Sequence, residues 1–281
     1  MAVREAARAC GARIRRLLQV KLAIVLVGLV LLLLAAWLAA GRMHRFAYWI
    51  GHKTEAEVQA LAIERWRVDR LAVAPDVTLV GLVHEALRTD APHVLFVPGN
   101  SSSLLEGFRG VLDALRGAED MRIAFWAYRG FDASTGVPTP TALADDLWQQ
   151  WQRLQALGAT PANTQIWGYS LGSVLAVQLA ARMAANGQSP ARLVLIAAAE
   201  QIPVMPYGRF GRFLADDVFD ATAAIEHVDC PTLIVHGTDD DALPIAGARR
   251  LATALGARAT LHEIPGKGHL DLWDDVRRLL W

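Results

Sequence analysis

From Arg70 onward the chain alternates short β-branched or aliphatic runs with longer helical patterns, a rhythm that limits it to a mainly parallel sheet covered by helices. Leu71 to Val73 and Val77 to Val83 are expected to open the sheet as an antiparallel pair. Val94 to Val97, Ile123 to Tyr128, Gln165 to Gly168, Leu193 to Ala197, Thr232 to His236 and Thr260 to Ile264 follow as strands. Helices are expected over Leu104 to Leu115, Ala142 to Leu157, Leu171 to Ala185, Ile245 to Leu255 and Leu270 to Leu280. The stretch from Leu171 is apolar nearly all round, the pattern of a buried helix. Glu200 to His227 breaks the rhythm, because it is long for a connection and contains Pro203, Pro206, Gly208 and Gly211. It reads as a small lid.

A chain of 281 residues is long enough for one large α/β domain with a substantial core, and the N-terminal part has a different character. Leu22 to Ala40 carries no charge and, as a helix, would reach roughly 28 Å, close to the roughly 30 Å hydrocarbon core of a bilayer. A cleaved signal peptide usually has an apolar region of only about 7 to 15 residues, so an uncleaved anchor is expected. Arg4, Arg8, Arg13, Arg15, Arg16 and Lys21 precede the span, whereas Arg42, Arg45 and Lys53 follow it. The positive-inside rule then places the N-terminus in the cytoplasm and everything after Gly41 outside it. The expected division is a basic cytoplasmic segment over 1–21, an anchor over 22–40, a connecting segment over 41–69 and the α/β domain over 70–281, with its lid over about 200–227. Phe46, Tyr48 and Trp49 fall where an interfacial aromatic belt would lie. Thr54 to Trp66 reads as an amphipathic helix, with Val58, Leu61 and Ala62 on one side, packed on the domain or lying on the membrane.

The formal net charge is zero, and no basic block occurs outside the N-terminus, so nothing points to nucleic acid. Cys10 and Cys230 are the two cysteines, and they lie on opposite sides of the apolar segment, which argues against an intrachain disulfide. Cys230 reads as a small buried side chain. No second ligand lies at zinc-site spacing, and the sequence calls for neither a metal nor a cofactor.

Chemistry enters at Gly168, Tyr169, Ser170, Leu171 and Gly172, a Gly-x-Ser-x-Gly pattern between the Gln165 to Gly168 strand and the helix beginning at Leu171. A serine is a weak nucleophile unless a sharp turn exposes its hydroxyl to a base, and the flanking glycines supply the missing Cβ atoms that such a turn requires. It needs a histidine, an acid that orients the histidine, and donors for the oxyanion of the tetrahedral intermediate. Asp239, Asp240 and Asp241 follow the strand ending at His236 and Gly237, and they are the acid candidates. Of the eight histidines, His269 sits after the last strand in a glycine-rich loop able to reach across the C-terminal edge of the sheet.

These residues resemble the α/β-hydrolase superfamily over roughly Arg70 to Trp281. Tyr128, Arg129 and Gly130, with Gly136, look like the family's loop after its fourth strand. His236, Gly237, Thr238, Asp239 and Asp240, with Leu243 and Pro244, look like its acid-bearing turn, and Gly268 with His269 looks like its histidine loop. The resemblance implies an α/β-hydrolase fold and selects Asp240 as the acid, with Asp239, Asp241 and Glu200 as alternatives. It implies that the backbone N–H of Leu171 and one from the loop Pro98, Gly99, Asn100 and Ser101, here Asn100, form the oxyanion hole. Pro98 departs from the usual His-Gly at that place. Ser101, Ser102 and Ser103 suit a helix N-cap.

The expectation is therefore a membrane-anchored serine hydrolase acting on an ester, thioester or amide, with Ser170, His269 and Asp240 as its triad. Carboxylesterase or lipase chemistry leads, and thioesterase or aminopeptidase chemistry follows. A tether beside the bilayer favours acyl or lipid-like substrates. The rival is a catalytically silent binding or scaffold protein on the same fold. A dehalogenase or epoxide hydrolase would carry an aspartate at the position of Ser170, whereas a serine perhydrolase would use the same triad.

Overall fold

The computed structural model describes residues 19, 21–22, 25–33, 50–101, 103–116, 120–203 and 218–280. The chain forms two compact units, Met1–Ala47 and Tyr48–Trp281. In the first, residues 25–33 are helical, and Val25, Leu26, Val27 and Leu29 to Leu33 are each at least 55% exposed. Among the described residues no helix is long and apolar enough to cross a membrane. Parts of the expected anchor, together with Phe46, Tyr48, Trp49 and Cys10, lie outside the described residues.

Among the described residues the second unit has ten strands: β1 Trp66–Ala74, β2 Val77–His84, β3 His93–Val97, β4 Arg122–Trp126, β5 Thr164–Tyr169, β6 Arg192–Ile196, β7 Gln201–Pro203, β8 Val218–Asp220, β9 Thr232–Gly237 and β10 Ala259–Ile264. Eight of them form one sheet in the order β1-β2-β4-β3-β5-β6-β9-β10. β1 with β2 and β2 with β4 are antiparallel, and the rest of the sheet is parallel. Its described α-helices are α1 Glu55–Gln59, α2 Leu104–Arg116, α3 Pro140–Ala156, α4 Leu171–Ala185, α5 Ala246–Leu255 and α6 Trp273–Leu280. This is the mainly parallel, helix-flanked sheet that the alternating pattern implies.

The central strands are apolar along their length because helices cover both faces, and β3 and β9 are buried at every position. Trp126, Trp151 and Trp167 are among the largest fully buried side chains. Each buries roughly 200 Å², which contributes about 5 kcal/mol of hydrophobic stabilisation. α4 lies under the sheet's centre with eleven buried residues, from Leu171 to Met183, in keeping with its continuous apolar character.

Three expectations change. β1 begins at Trp66 rather than Leu71, because Asp69, which interrupts the apolar run, is buried with partners of its own. Arg153 donates to its carboxylate at 2.6 Å and the indole of Trp126 at 3.2 Å. The helix expected over Thr54 to Trp66 is confined to α1, where a capping box between Thr54 and Glu57 closes its start. Val58 is its buried residue, and the chain then turns into β1. The helix expected from Leu270 begins at Trp273, and Leu270 itself is 74% exposed.

The lid region contributes β7 and β8, which pair antiparallel through Ile202 and Phe219. Residues 204–217 of the expected lid lie outside the described residues. The chain order reverses between β3 and β5, since β4 follows β3 on one side and β6 follows β5 on the other. In an open parallel sheet such a switch point leaves a crevice at the C-terminal ends of the strands, where ligands bind.

Candidate active site

Ser170 stands at that switch point, one residue beyond β5 and immediately before α4. Its backbone has φ 52° and ψ −119°, a region that side chains rarely adopt. The turn is this sharp because α4 starts against the end of β3. A Cβ on Gly172 would lie 2.0 Å from the carbonyl oxygen of Val97, and one on Gly168 would lie 2.5 Å from that of Gly172. Ser170 N–H donates to Ile196 O at 2.9 Å, which ties the turn to β6. Ser173, one turn into α4, donates its hydroxyl to Ser170 O at 2.6 Å.

The structure brings Ser170, His269 and Asp240 into one line. His269 Nε2 lies 2.9 Å from Ser170 Oγ, and His269 Nδ1 lies 2.7 Å from Asp240 Oδ2. With the Nδ1 proton donated to the carboxylate, the Nε2 lone pair faces the serine hydroxyl. The Asp240 side chain is wholly hidden from solvent. Its Oδ1 accepts the N–H groups of Ala242 at 3.0 Å and Leu243 at 2.8 Å, so both oxygens are occupied. Asp239 instead accepts the Thr238 hydroxyl at 2.8 Å, and Asp241 is exposed. Glu200 is held by Arg250 Nε at 2.6 Å.

His236 supports the acid turn from beneath. Fully buried, it donates from Nε2 to Leu243 O at 2.8 Å and lies 3.4 Å from Asp240 Oδ2. Burial drives its pKa below the ordinary histidine value, and this outweighs the opposing pull of the Leu243 carbonyl and Asp240. The histidine loop is held by contacts that sequence reasoning missed. Tyr169 donates its hydroxyl to the carbonyl of His269 at 3.0 Å, and its ring packs on Trp273 with centroids 4.7 Å apart. Burial, then the charge of Asp240, raises the Tyr169 pKa, so the phenol stays a donor. Gly237 lets the acid and histidine loops touch, since a Cβ there would lie 2.1 Å from Lys267 O.

Leu171 opens α4, where first-turn N–H groups lack partners within the helix, and Asn100 lies half-buried in the loop after β3. That loop abuts the nucleophile: a Cβ on Gly99 would lie 3.2 Å from Ser170 Cβ. The N-cap expected from the serines is supplied otherwise. Leu105 N–H donates to Asp132 Oδ2 at 2.9 Å, while Ser103 Oγ has no hydrogen-bond partner and Ser102 lies outside the described residues. Among the described residues no group of three or more His, Cys, Asp or Glu stands together as a metal site would require. Cys230 is buried, and burial pushes its thiol up to about 11.

No family model matches the chain. Among curated proteins it is 26% identical over 186 residues to the lysophosphatidylserine lipase ABHD12 of Danio rerio, covering 59% of this chain and 48% of that one. To the human alpha/beta hydrolase domain-containing protein 17B it is 28% identical over 146 residues, covering 52% of this chain and 49% of that one. The chain thus spans about half the length of these curated relatives. Among solved structures, an alpha-beta hydrolase from Vibrio vulnificus superimposes with a TM-score of 0.67 at 21% identity, covering 85% of this chain and 88% of that one. A putative hydrolase from Agrobacterium vitis gives 0.61 at 17% identity, over 76% and 97% of the two chains. The fold is the α/β-hydrolase fold, and the chain belongs to the α/β-hydrolase superfamily.

Proposed function

We propose that this chain is a membrane-anchored serine hydrolase that cleaves an ester, thioester or amide of an acyl or lipid-like substrate. The observation that carries the reading is the line from Ser170 Oγ through His269 to Asp240, at 2.9 and 2.7 Å. Ser170 Oγ attacks the substrate carbonyl while His269 Nε2 takes its proton. Asp240 keeps the imidazole in the tautomer that can do so and stabilises the imidazolium that forms. The backbone N–H groups of Leu171 and Asn100 bind the oxyanion, and losing one such donor typically costs about 100- to 1,000-fold in turnover. His269 then gives the proton to the leaving group, and water releases the acyl group from Ser170 by the same route. Carboxylesterase or lipase chemistry is favoured, because one relative is named a lysophosphatidylserine lipase.

The proposed organisation is a cytoplasmic segment over 1–21, an anchor over 22–40, a connection over 41–69 and the hydrolase domain over 70–281, with a lid over about 200–227. The exposed apolar helix of residues 25–33 supports the anchor, and the excess of cations before it supports a catalytic domain outside the cytoplasm. One labelling experiment tests chemistry and topology together. A fluorophosphonate probe is expected to label the purified protein, with labelling abolished in a folded Ser170→Ala variant. A membrane-impermeant version is expected to label Ser170 in intact cells. Persistent labelling of Ser170→Ala would remove Ser170 as the nucleophile, and labelling by the impermeant probe only after lysis would reverse the orientation.

A further inference from the structure

The loop from Pro98 to Ser103 carries the proposed oxyanion donor Asn100, and it is gripped at both ends by a single distant loop. At its start, the hydroxyl of Tyr128 donates to the carbonyl of Pro98. At its end, the carboxylate of Asp132 accepts the N–H of Leu105 at 2.9 Å, in the first turn of α2. Asp132 is 3% exposed, its Oδ1 has no hydrogen-bond partner, and its φ of 47° is one that residues with a Cβ avoid. Burial raises its pKa, against the pull of the Leu104 and Leu105 N–H groups and of Lys53. A buried carboxyl group, an unpartnered oxygen and a strained backbone all cost stability at one residue. Such costs persist where the surroundings over-determine the geometry, and they concentrate at functional sites.

The surroundings that fix Asp132 come from the segment that follows the apolar N-terminal stretch. Asp132 N–H donates to Gly51 O at 2.8 Å, and Lys53 N–H donates to Asp132 O at 3.2 Å. The Lys53 side chain is mostly covered, and its ammonium reaches Glu106 in the first turn of α2 at 2.7 Å. Residues 51–53 therefore hold both backbone polar groups of Asp132 and the helix start that its carboxylate caps. Because Gly99 lies against Ser170, slack at either grip would move Asn100 relative to the nucleophile.

We propose that Asp132 is a positioning residue for the oxyanion loop: clasped by Gly51 to Lys53, its carboxylate works with the Tyr128 hydroxyl to hold Asn100 N–H where the oxyanion forms. The inference rests on the serine-hydrolase reading. It implies that the connecting segment helps to set the geometry of the site, since the same short stretch of chain fixes the residue that caps α2.

The test uses the full-length protein and p-nitrophenyl butyrate. Asp132→Gly removes the carboxylate while tolerating the positive φ, so it separates the cap from the backbone strain. Its kcat is expected to fall about 10- to 100-fold, short of outright loss of a donor, with KM within about 3-fold. Asp132→Asn keeps an acceptor for Leu105 N–H and tolerates the same backbone, so it is expected to restore kcat to within about 3-fold of wild type. Tyr128→Phe keeps the buried ring, removes the hydroxyl of the first grip, and is expected to lower kcat about 3- to 10-fold with KM unchanged. It decides the matter if Asp132→Gly does not fold. Wild-type kcat in folded Asp132→Gly and Tyr128→Phe, or a loss confined to KM, would overturn the proposal while fluorophosphonate still labels Ser170. Absence of that labelling in the wild type overturns the hydrolase reading and this inference with it.

Discussion

His93 begins β3 at 1% exposure, and Arg122 Nη1 stands 3.5 Å from its Nε2, so the guanidinium donates to a neutral ring. Burial, then the charge of Arg122, holds its pKa down to about 4 from 6.5. Between those values the unfolded chain binds the proton that the folded one refuses. The associated stability is complete above about pH 6.5 and drains away as pH falls towards 4, at about 1.4 kcal/mol per pH unit, or about 3 kcal/mol in all. His93→Gln removes this term. Urea unfolding is expected to show the wild type losing about 3 kcal/mol relative to His93→Gln between pH 7 and pH 4, and parallel pH profiles would refute the assignment. At this scale, the meeting of Ser170, Asp240 and His269 was legible because each stands in a loop just past a strand, in a local pattern of glycines. Tyr169 and Asp132 were not, because their partners are backbone atoms 100 and 27 residues away in the chain, and no local pattern encodes those pairings.

The turn joining β5 to α4 is the element on which the site depends, and its glycines are required by contact. A Cβ on Gly172 would overlap Val97 O at 2.0 Å, and both partners are backbone, so α4 would have to move away from β3. Gly172→Ala is expected to destabilise the protein by about 3 kcal/mol or more and to abolish fluorophosphonate labelling. The same change at Gly107, exposed in α2 with nothing within 4 Å of an added Cβ, is expected to stabilise by about 0.5 to 1 kcal/mol. Thermal melts of the two variants should shift in opposite directions, and a stable, labelled Gly172→Ala would show that the close approach of α4 to β3 is dispensable. Among the elements, the parallel strands were readable because burial on both faces makes them continuously apolar. The edge strand β1 was only half readable. Its polar residues look like the end of a strand until Arg153 and Trp126 are brought to Asp69 by the fold. α1 was over-read for the converse reason, since an amphipathic spacing continues in sequence beyond the point where the chain turns into β1.

At the scale of the whole molecule, the question is how much of the N-terminal part the α/β-hydrolase-fold unit needs. The compact unit from Tyr48 onward contains Ser170, Asp240, His269 and the clasp at residues 51–53. A chain beginning at Tyr48 is therefore expected to fold, to hydrolyse p-nitrophenyl butyrate at the full-length rate and to leave the membrane fraction. A chain beginning at Thr54 keeps the capping box of α1 and the whole sheet but loses Gly51 O, Lys53 N–H and the Lys53 ammonium from around Asp132. Its kcat is expected to be about 10- to 100-fold below that of the longer truncation, with KM little changed, because the proposed oxyanion loop loses one support while Ser170, His269 and Asp240 stay in place. Equal kcat in the two chains would show that the clasp is dispensable. Retention of the Tyr48 chain in the membrane fraction would move the anchoring surface away from the apolar segment and onto the α/β-hydrolase-fold unit itself. Both expected outcomes together would mean that the six residues between the cuts serve catalysis, whereas the apolar segment before them serves location.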